Sequence, residues 1–369
     1  MKRFFKIALL AALCISVLLI SGCRAGPRVE YERREITDEA ILTRFNGNDY
    51  FRNVFWIDGD NCLFAFSLVS YEEGHPPAPS AVYRWSASKN EVSLIFEGEV
   101  HGVFTPDQSS CRVTPDGFVL MLERELLFFD SDYKYLSEKT VTLEGDDCFS
   151  CVSADGSAAL IKDNFRIYYT ELENPSERTK VSGRYLGGIG HEPITADNKS
   201  VLVPEGNEGR TTGISVYDVE TGALSRLSCL DSLPEDDLAG AGTLYLYDDT
   251  HAMLVIGGAV YTDCHDTYIL VDFVNDTCEV VYRTSDMERH PLPDASGTWK
   301  LERNEEGDAL VVSPFDAEPV SVALEEPHLD IGGSIWVDGG SRSFVYLYRP
   351  GESGAILSAY KNCKLQIAN

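Results

Sequence analysis

The chain has 369 residues, and its seven histidines and ten cysteines are the side chains with the most chemistry to offer. Neutral imidazole is a common metal ligand and proton carrier. His101, His191, His290 and His328 each stand just ahead of a β-rich run. No two of them have the tight spacing of a ligand pair, so a metal site would need the fold to bring them together. Cys148-Phe-Ser-Cys151 has the spacing of a redox pair. Thiol activation in such pairs uses a helix N-terminus. This segment alternates as a strand, so small buried thiols are the expectation. There is no GxSxG, no HExxH, no phosphate loop followed by Lys and no complete dinucleotide fingerprint. The Gly-rich stretch at Gly187 opens no helix. Asp58-Gly-Asp-Asn61 begins like a calcium loop but lacks the later oxygen ligands and the closing Glu. No cofactor is expected.

The elements that must position these side chains are strands. Asp58-Gly59, Asp116-Gly117, Asp155-Gly156, Asp197-Asn198, Asp248-Asp249, Asp294 and Asp338-Gly339 mark turns between alternating β-branched and aromatic runs. Asp and Asn cap such turns by accepting from the backbone two residues on, and Gly tolerates positive φ. The turns recur about every 45 residues, with about four short strands per repeat, which predicts a β-propeller. The expected class is all-β, a single propeller of seven four-stranded blades over 51–369; six or eight blades also fit the spacing. No long amphipathic helix is expected after residue 50, and LPEDDLAG near Leu233 reads as one helical turn. The fourth strand of the last blade is expected at CKLQIAN, the end of the chain. Trp56, Trp85, Trp299 and Trp336 lie on or beside strands and are read as packing residues rather than sugar platforms. The repeat resembles TolB-type and Trp-Asp-type propeller repeats, best in VTPDGFVLMLERELLFFD and VSADGSAALIKDNFRIYYTEL. That resemblance implies architecture and leaves the activity open.

The N-terminus reads as an address. MKRFFK is a basic segment, and Ile7 to Ile20 carries no charge. The run is short for a membrane span, which needs about 20 residues, and suits a signal peptide. Ile20-Ser21-Gly22-Cys23 resembles the bacterial lipobox. The resemblance implies removal of 1–22 and lipidation of Cys23, with the rest of the chain held at the cell membrane, facing the periplasm or the cell surface. Stable anchoring takes two or more acyl chains. Residues 23–50 read as a tether; VEYERREI within it alternates loosely and fits either a strand or, slightly better, a solvated linker.

Net charge is −28. Such a chain repels phosphate backbones and anionic headgroups, so nucleic acid is excluded as a partner. Long loops cluster in the second-to-third-strand and inter-blade connections, at Ser70–Ser80, Glu205–Gly213 and Asp231–Gly242. In a propeller these share one face, and variable loops on a rigid scaffold are where binding sites lie. Glu72, His75, Glu205, Arg210, Asp236 and Asp237 are the candidate binding residues. The expected function is non-enzymatic binding of a protein, a peptide or an envelope glycan. The alternative is a propeller hydrolase or lyase with scattered histidines and carboxylates at the channel mouth.

Overall fold

A computed structural model describes residues 29–46, 51–67, 78–102, 110–163, 166–181, 194–207, 210–246, 248, 250–258, 267–283, 299–303, 309–314, 320–323, 335–338, 343–348 and 356–364. Strand β1 (Val29–Ile36) and helix α1 (Glu39–Asn46) come first. One sheet follows from β2 (Phe51–Trp56), β3 (Asn61–Ser67), β4 (Ala78–Ser86) and β5 (Glu91–Val100). The next holds β6 (Cys111–Thr114), β7 (Gly117–Met121), β8 (Glu125–Asp130) and β9 (Val141–Thr142). A third holds β10 (Cys148–Val152), β11 (Ala158–Asp163), β12 (Arg166–Glu171) and β13 (Arg178–Lys180). A fourth has β14 (Ser200–Asn207), β15 (Arg210–Asp218) and β16 (Leu224–Leu227). A fifth has β17 (Gly240–Leu246), β18 (His251–Gly258), β19 (Thr267–Asp272) and β20 (Thr277–Arg283). A sixth has β21 (Trp299–Arg303), β22 (Ala309–Pro314) and β23 (Val320–Ala323). The last joins β24 (Ile335–Asp338), β25 (Ser343–Tyr348) and β26 (Ile356–Lys364) to β1.

Every pairing in these sheets is antiparallel, and the sheets succeed one another along the chain. β7 packs against β10, β14 against β17, and β2 against β24, so the first and last sheets are neighbours. This is the ring of a β-propeller. Burial follows from it. Residues of β3 alternate between two cores: Cys62, Phe64 and Phe66 enter one with Val345 of β25, while Leu63 and Ala65 enter another with Phe118, Leu120 and Phe129. A strand covered on both faces by neighbouring sheets has no polar side, which is why Cys62 to Phe66 is an unbroken apolar run.

Two features depart from expectation. The segment read as a tether is folded over Val29–Asn46. β1 pairs with β26 residue for residue, from Val29 opposite Lys364 to Ile36 opposite Leu357. The closing strand of the last sheet is therefore VEYERREI, and Cys363 and Lys364 belong to β26 instead of starting a further strand. Helix α1 follows for local reasons. Asp38 caps it, its Oδ1 accepting from the amides of Ala40 (2.9 Å) and Ile41 (3.3 Å). Ile41 and Phe45, four residues apart on one face, are buried. The Phe45 ring meets Phe66 edge-on at 5.2 Å between centroids. Arg44 donates to the Tyr83 hydroxyl at 3.1 Å.

Asp58, Asp155, Asp197 and Asp248 have the capping geometry their sequence implied, and Asp294 lies outside the described residues. Asp58 Oδ1 accepts from the amides of Asp60 (2.7 Å) and Asn61 (2.8 Å), and both its oxygens accept from Asn61 Nδ2. Asp155 accepts from the Ser157 amide (2.9 Å) and hydroxyl (2.7 Å), and Asp248 from the Thr250 amide (2.7 Å). Gly156 and Asn198 take φ of 73° and 59°. Burial pushes the Asp155 carboxyl up, but the Ser157 and Ser153 donors outweigh it and hold it at about 2. Asp248 is held at about 2 in the same way, by Thr250 and His251. A depressed folded pKa stabilises fully above the unfolded value near 4, and that contribution disappears as pH falls through the folded one. The urea midpoint is therefore expected to drop between about pH 4 and pH 2. Asp155→Asn, which cannot ionise, should flatten part of that drop; an unchanged profile would count against the assignment.

Candidate functional site

Two of the three long connections meet beside β16. The β14–β15 hairpin narrows to Asn207 opposite Arg210 after a register shift at Glu205 and Gly206. The connection from β16 to β17 contains two short 3-10 turns, Cys229–Ser232 and Glu235–Leu238. Arg226 of β16 sits between that hairpin and the first of these turns. Its Nη1 and Nη2 grip Asp231 at 3.1 and 2.8 Å, and Nη2 also donates to the Thr212 carbonyl at 2.6 Å. Its Nε lies 3.6 Å from Glu205 Oε2, and the other Glu205 oxygen accepts a short hydrogen bond from the buried Ser215 hydroxyl. A Cβ on Gly213 would stand 2.7 Å from Arg226 Nε, so the glycine gives the guanidinium room to lie along the strand. Asp231 holds the Arg226 cation above its ordinary range, and Arg226 holds the Asp231 carboxyl below its own.

The same connection is tied at both ends to the edge strand β20. Asp276, just ahead of β20, accepts from the Ser228 amide (2.8 Å), the Ser228 hydroxyl (2.6 Å) and the Cys229 amide (2.9 Å). Arg283, which ends β20, grips Asp237 with Nε at 2.6 Å and Nη2 at 2.7 Å. The segment covers a sheet edge that would otherwise offer unpaired backbone groups.

The candidate residues therefore divide. Asp237, expected on the acidic surface, is buried against Arg283 and acts as a tie, because a buried carboxylate persists only when paired. Glu205 is half-buried and committed to Ser215 and Arg226. Arg210 and Glu235 face each other at 3.8 Å, both exposed, and Asp236 is exposed beside them. Cys23, Glu72 and His75 lie outside the described residues. Sequence reasoning did not single out Arg226, Asp276 or Arg283. Their only signal was a basic residue, or an Asp in a turn, with no cue to its partner, which for Asp276 and Arg283 lies more than 40 residues away.

Of the four histidines expected near the channel mouth, His101 is placed elsewhere, and His191, His290 and His328 lie outside the described residues. The His101 amide donates to Glu125 Oε2 at 2.8 Å, and its ring Nδ1 is 3.6 Å from that oxygen. Glu125 opens β8 and also accepts from Thr142 of β9 at 3.1 Å. Those are the two strands of their sheet farthest from β6, so His101 stands on the outer side, not at the axis. His251 has Asp248 at 3.0 Å from Nδ1 and Asp272 at 3.7 Å from Nε2. The carboxylates flank opposite ring nitrogens and do not converge. Among the described residues no group of three or more His, Cys, Asp or Glu is placed to hold a metal ion. Cys148 and Cys151 lie on β10 and donate to the carbonyls of Asp146 (3.7 Å) and Val152 (3.5 Å), and burial pushes the Cys148 thiol up. That is the reverse of an activated thiol. Trp56 and Trp85 are buried edge to face at 6.4 Å.

The chain shares its fold with oligogalacturonate lyases. One, solved in complex with manganese, matches with a TM-score of 0.56 at 11% identity, over 91% of this chain and 97% of the other. The oligogalacturonate lyase of Vibrio parahaemolyticus matches with a TM-score of 0.54 at 11% identity, over 91% and 98%. TolB of Acinetobacter baumannii gives 0.38 at 12% identity, over 78% of each chain. At 11% identity the likeness to the two lyases is one of fold alone. No protein-family model matches the chain, and no curated protein matches it in sequence.

Proposed function

We propose that this chain is a lipoprotein anchored through Cys23 and facing away from the cytoplasm, with a seven-bladed propeller, one blade per sheet, that serves as a binding module. The observation that carries this reading is the 228–239 connection together with the start of β15 at Arg210–Thr212 beside it. They are held by Arg226, Asp276 and Arg283, and they leave Arg210, Glu235 and Asp236 exposed. Loops ordered in advance lose little freedom on binding, so their exposed groups contribute more to affinity. A net charge of −28 favours a cationic or neutral partner, a basic peptide or protein or an uncharged envelope glycan, over a polyanion. The fold likeness to oligogalacturonate lyases favours a second reading, a propeller lyase. That reading calls for a general base and for cationic groups on an acidic sugar. The arginines of the loop cluster described above are already opposite carboxylates.

The test is a thermal-shift screen of the soluble form from Arg24 to Asn369 against EDTA, divalent metals, basic peptides, neutral glycan fragments and oligogalacturonate. A ligand of the folded state alone must raise the melting temperature. The expected result is a shift with a basic peptide or neutral glycan, lost in the triple variant Arg210→Ala, Glu235→Ala, Asp236→Ala. That variant should keep its own melting temperature, because surface substitutions change stability by no more than about 0.5 kcal/mol. A shift with oligogalacturonate and its depolymerisation would replace this reading with the lyase. For the anchor, Cys23→Ala is expected to abolish acyl labelling and leave the precursor unprocessed; unchanged labelling would remove the lipoprotein assignment.

A further inference from the structure

The connection that Asp276 and Arg283 tie to β20 carries a cysteine, and so does β20. Cys229 opens the first 3-10 turn and is buried among Leu227, Leu230, Leu254 and Ile269, and Cys278 packs against the same cluster. Along β20, Cys278, Val280 and Tyr282 form the covered row and alternate with exposed residues. Asp276, two residues before Cys278, accepts the Cys229 amide at 2.9 Å, so the two chain segments are pinned together at that point. Both cysteines are free thiols and share one apolar cluster. We propose that Cys229 and Cys278 are a disulfide site, closing the 228–239 connection onto the edge of its sheet.

The oxidant is a small-molecule or protein disulfide. One cysteine thiolate attacks it, forming a mixed disulfide and releasing a thiolate. The second cysteine thiolate then displaces the remaining half. Two protein thiols are oxidised, the oxidant is reduced to two thiols, and the two protons pass to the released sulfurs. Burial pushes the Cys229 thiol up to about 12 and raises Cys278 as well. Thiolate is the reactive form, so the packed dithiol exchanges slowly. The bond therefore forms while the chain folds with oxidant present, and the packed protein then protects it. It closes a loop of about 50 residues, which restricts the unfolded chain and stabilises the fold by comparison.

The experiment is to refold the full mature chain in a mixed oxidised and reduced glutathione buffer, alkylate the free thiols and map the peptides. Cleavage after glutamate, then chymotrypsin, cuts beyond Glu235 and Phe273 and so separates Cys229, Cys264 and Cys278. The expected product is a reductant-sensitive link between the peptides carrying Cys229 and Cys278. The oxidised protein should melt several degrees above the same protein in reductant. Cys278→Ser should lose that difference, and Cys264→Ser should keep it. Alkylation of both thiols after oxidative refolding, or a link from Cys229 to Cys264, would overturn the proposal. Because the oxidant is added, the outcome is independent of where the protein resides.

Discussion

Removing Val29–Ile36 is expected to cost the protein several kcal/mol and to make it aggregate, although those residues lie ahead of every repeat. β1 is the fourth strand of the last sheet and pairs with β26 over its full length. Each ladder hydrogen bond is worth about 1 kcal/mol net. Without β1, β26 becomes a bare edge that invites pairing with other chains. The loss spreads further, because Ile36 is packed in the same core as Ile41 and Phe45 of α1 and Phe64 and Phe66 of β3. The variant lacking 29–36 should therefore show a lower urea midpoint and oligomers in light scattering, whereas the variant lacking only 24–28 should match the parent. A synthetic VEYERREI peptide at high concentration should restore part of the midpoint by strand addition. Equal stability of the two variants would show that the ring holds without its N-terminal strand. If Cys23 carries the lipid, the strand that closes the ring also bears the anchor. At most about 3.5 Å per residue then separates the lipid from Val29, which keeps that part of the rim within about 20 Å of the bilayer.

This closure was the part of the fold least legible in the sequence. Strands inside a repeat announce themselves by local signs: Asp-Gly turns, as at Asp155, and apolar runs such as Cys62 to Phe66. VEYERREI has neither, and its partner β26 lies at the other end of the chain. Its pattern is polar because only one edge and part of one face are covered; Ile36 is buried while Glu32, Arg33 and Glu35 are exposed. Helix α1 was more legible than it was read to be, since Asp38 followed by Glu39 and the Ile41–Phe45 spacing form an N-cap and a buried stripe. In the candidate site the sequence showed which loops are long and acidic. It did not show that Asp237 and Asp231 are held by Arg283 and Arg226, because ion pairs between a strand and a connecting turn leave no periodicity. The histidines illustrate the same limit. Position ahead of a first strand suggested the axis, yet the chain reaches His101 straight from β5, and its side chain meets Glu125 on the outer half of the next sheet.

Replacing Gly240 with Ala should be the most damaging single methyl that can be added near the candidate site. Gly240 begins β17, where the 228–239 connection enters its sheet, and its carbonyl accepts from the Thr211 hydroxyl at 2.9 Å. A Cβ there would stand 1.8 Å from the Gly257 carbonyl oxygen and 2.8 Å from its carbon. Those atoms are backbone of the paired strand β18 and cannot rotate away, so the pairing of Gly240 with Gly258 must give. Overpacking costs about 1–3 kcal/mol, occasionally more, and a backbone contact this close places Gly240→Ala at the upper end. The displacement would also pull on Thr211 and on the ties at Asp231 and Asp237, so ligand response should fall together with stability. Two further glycines rank the effect. At Gly242 the added carbon would meet the Thr211 hydroxyl at 2.7 Å and a Leu254 methyl at 2.8 Å, side-chain atoms that can move, which places its cost below that of Gly240. At Gly59 nothing lies within 4 Å, and Ala should change stability by less than about 0.5 kcal/mol. Urea midpoints in the order Gly59→Ala, Gly242→Ala, Gly240→Ala, highest to lowest, are the expected result. A Gly240→Ala protein as stable as Gly59→Ala would mean that β17 and β18 do not approach as closely as their register requires, and the connection would lose its fixed point of entry.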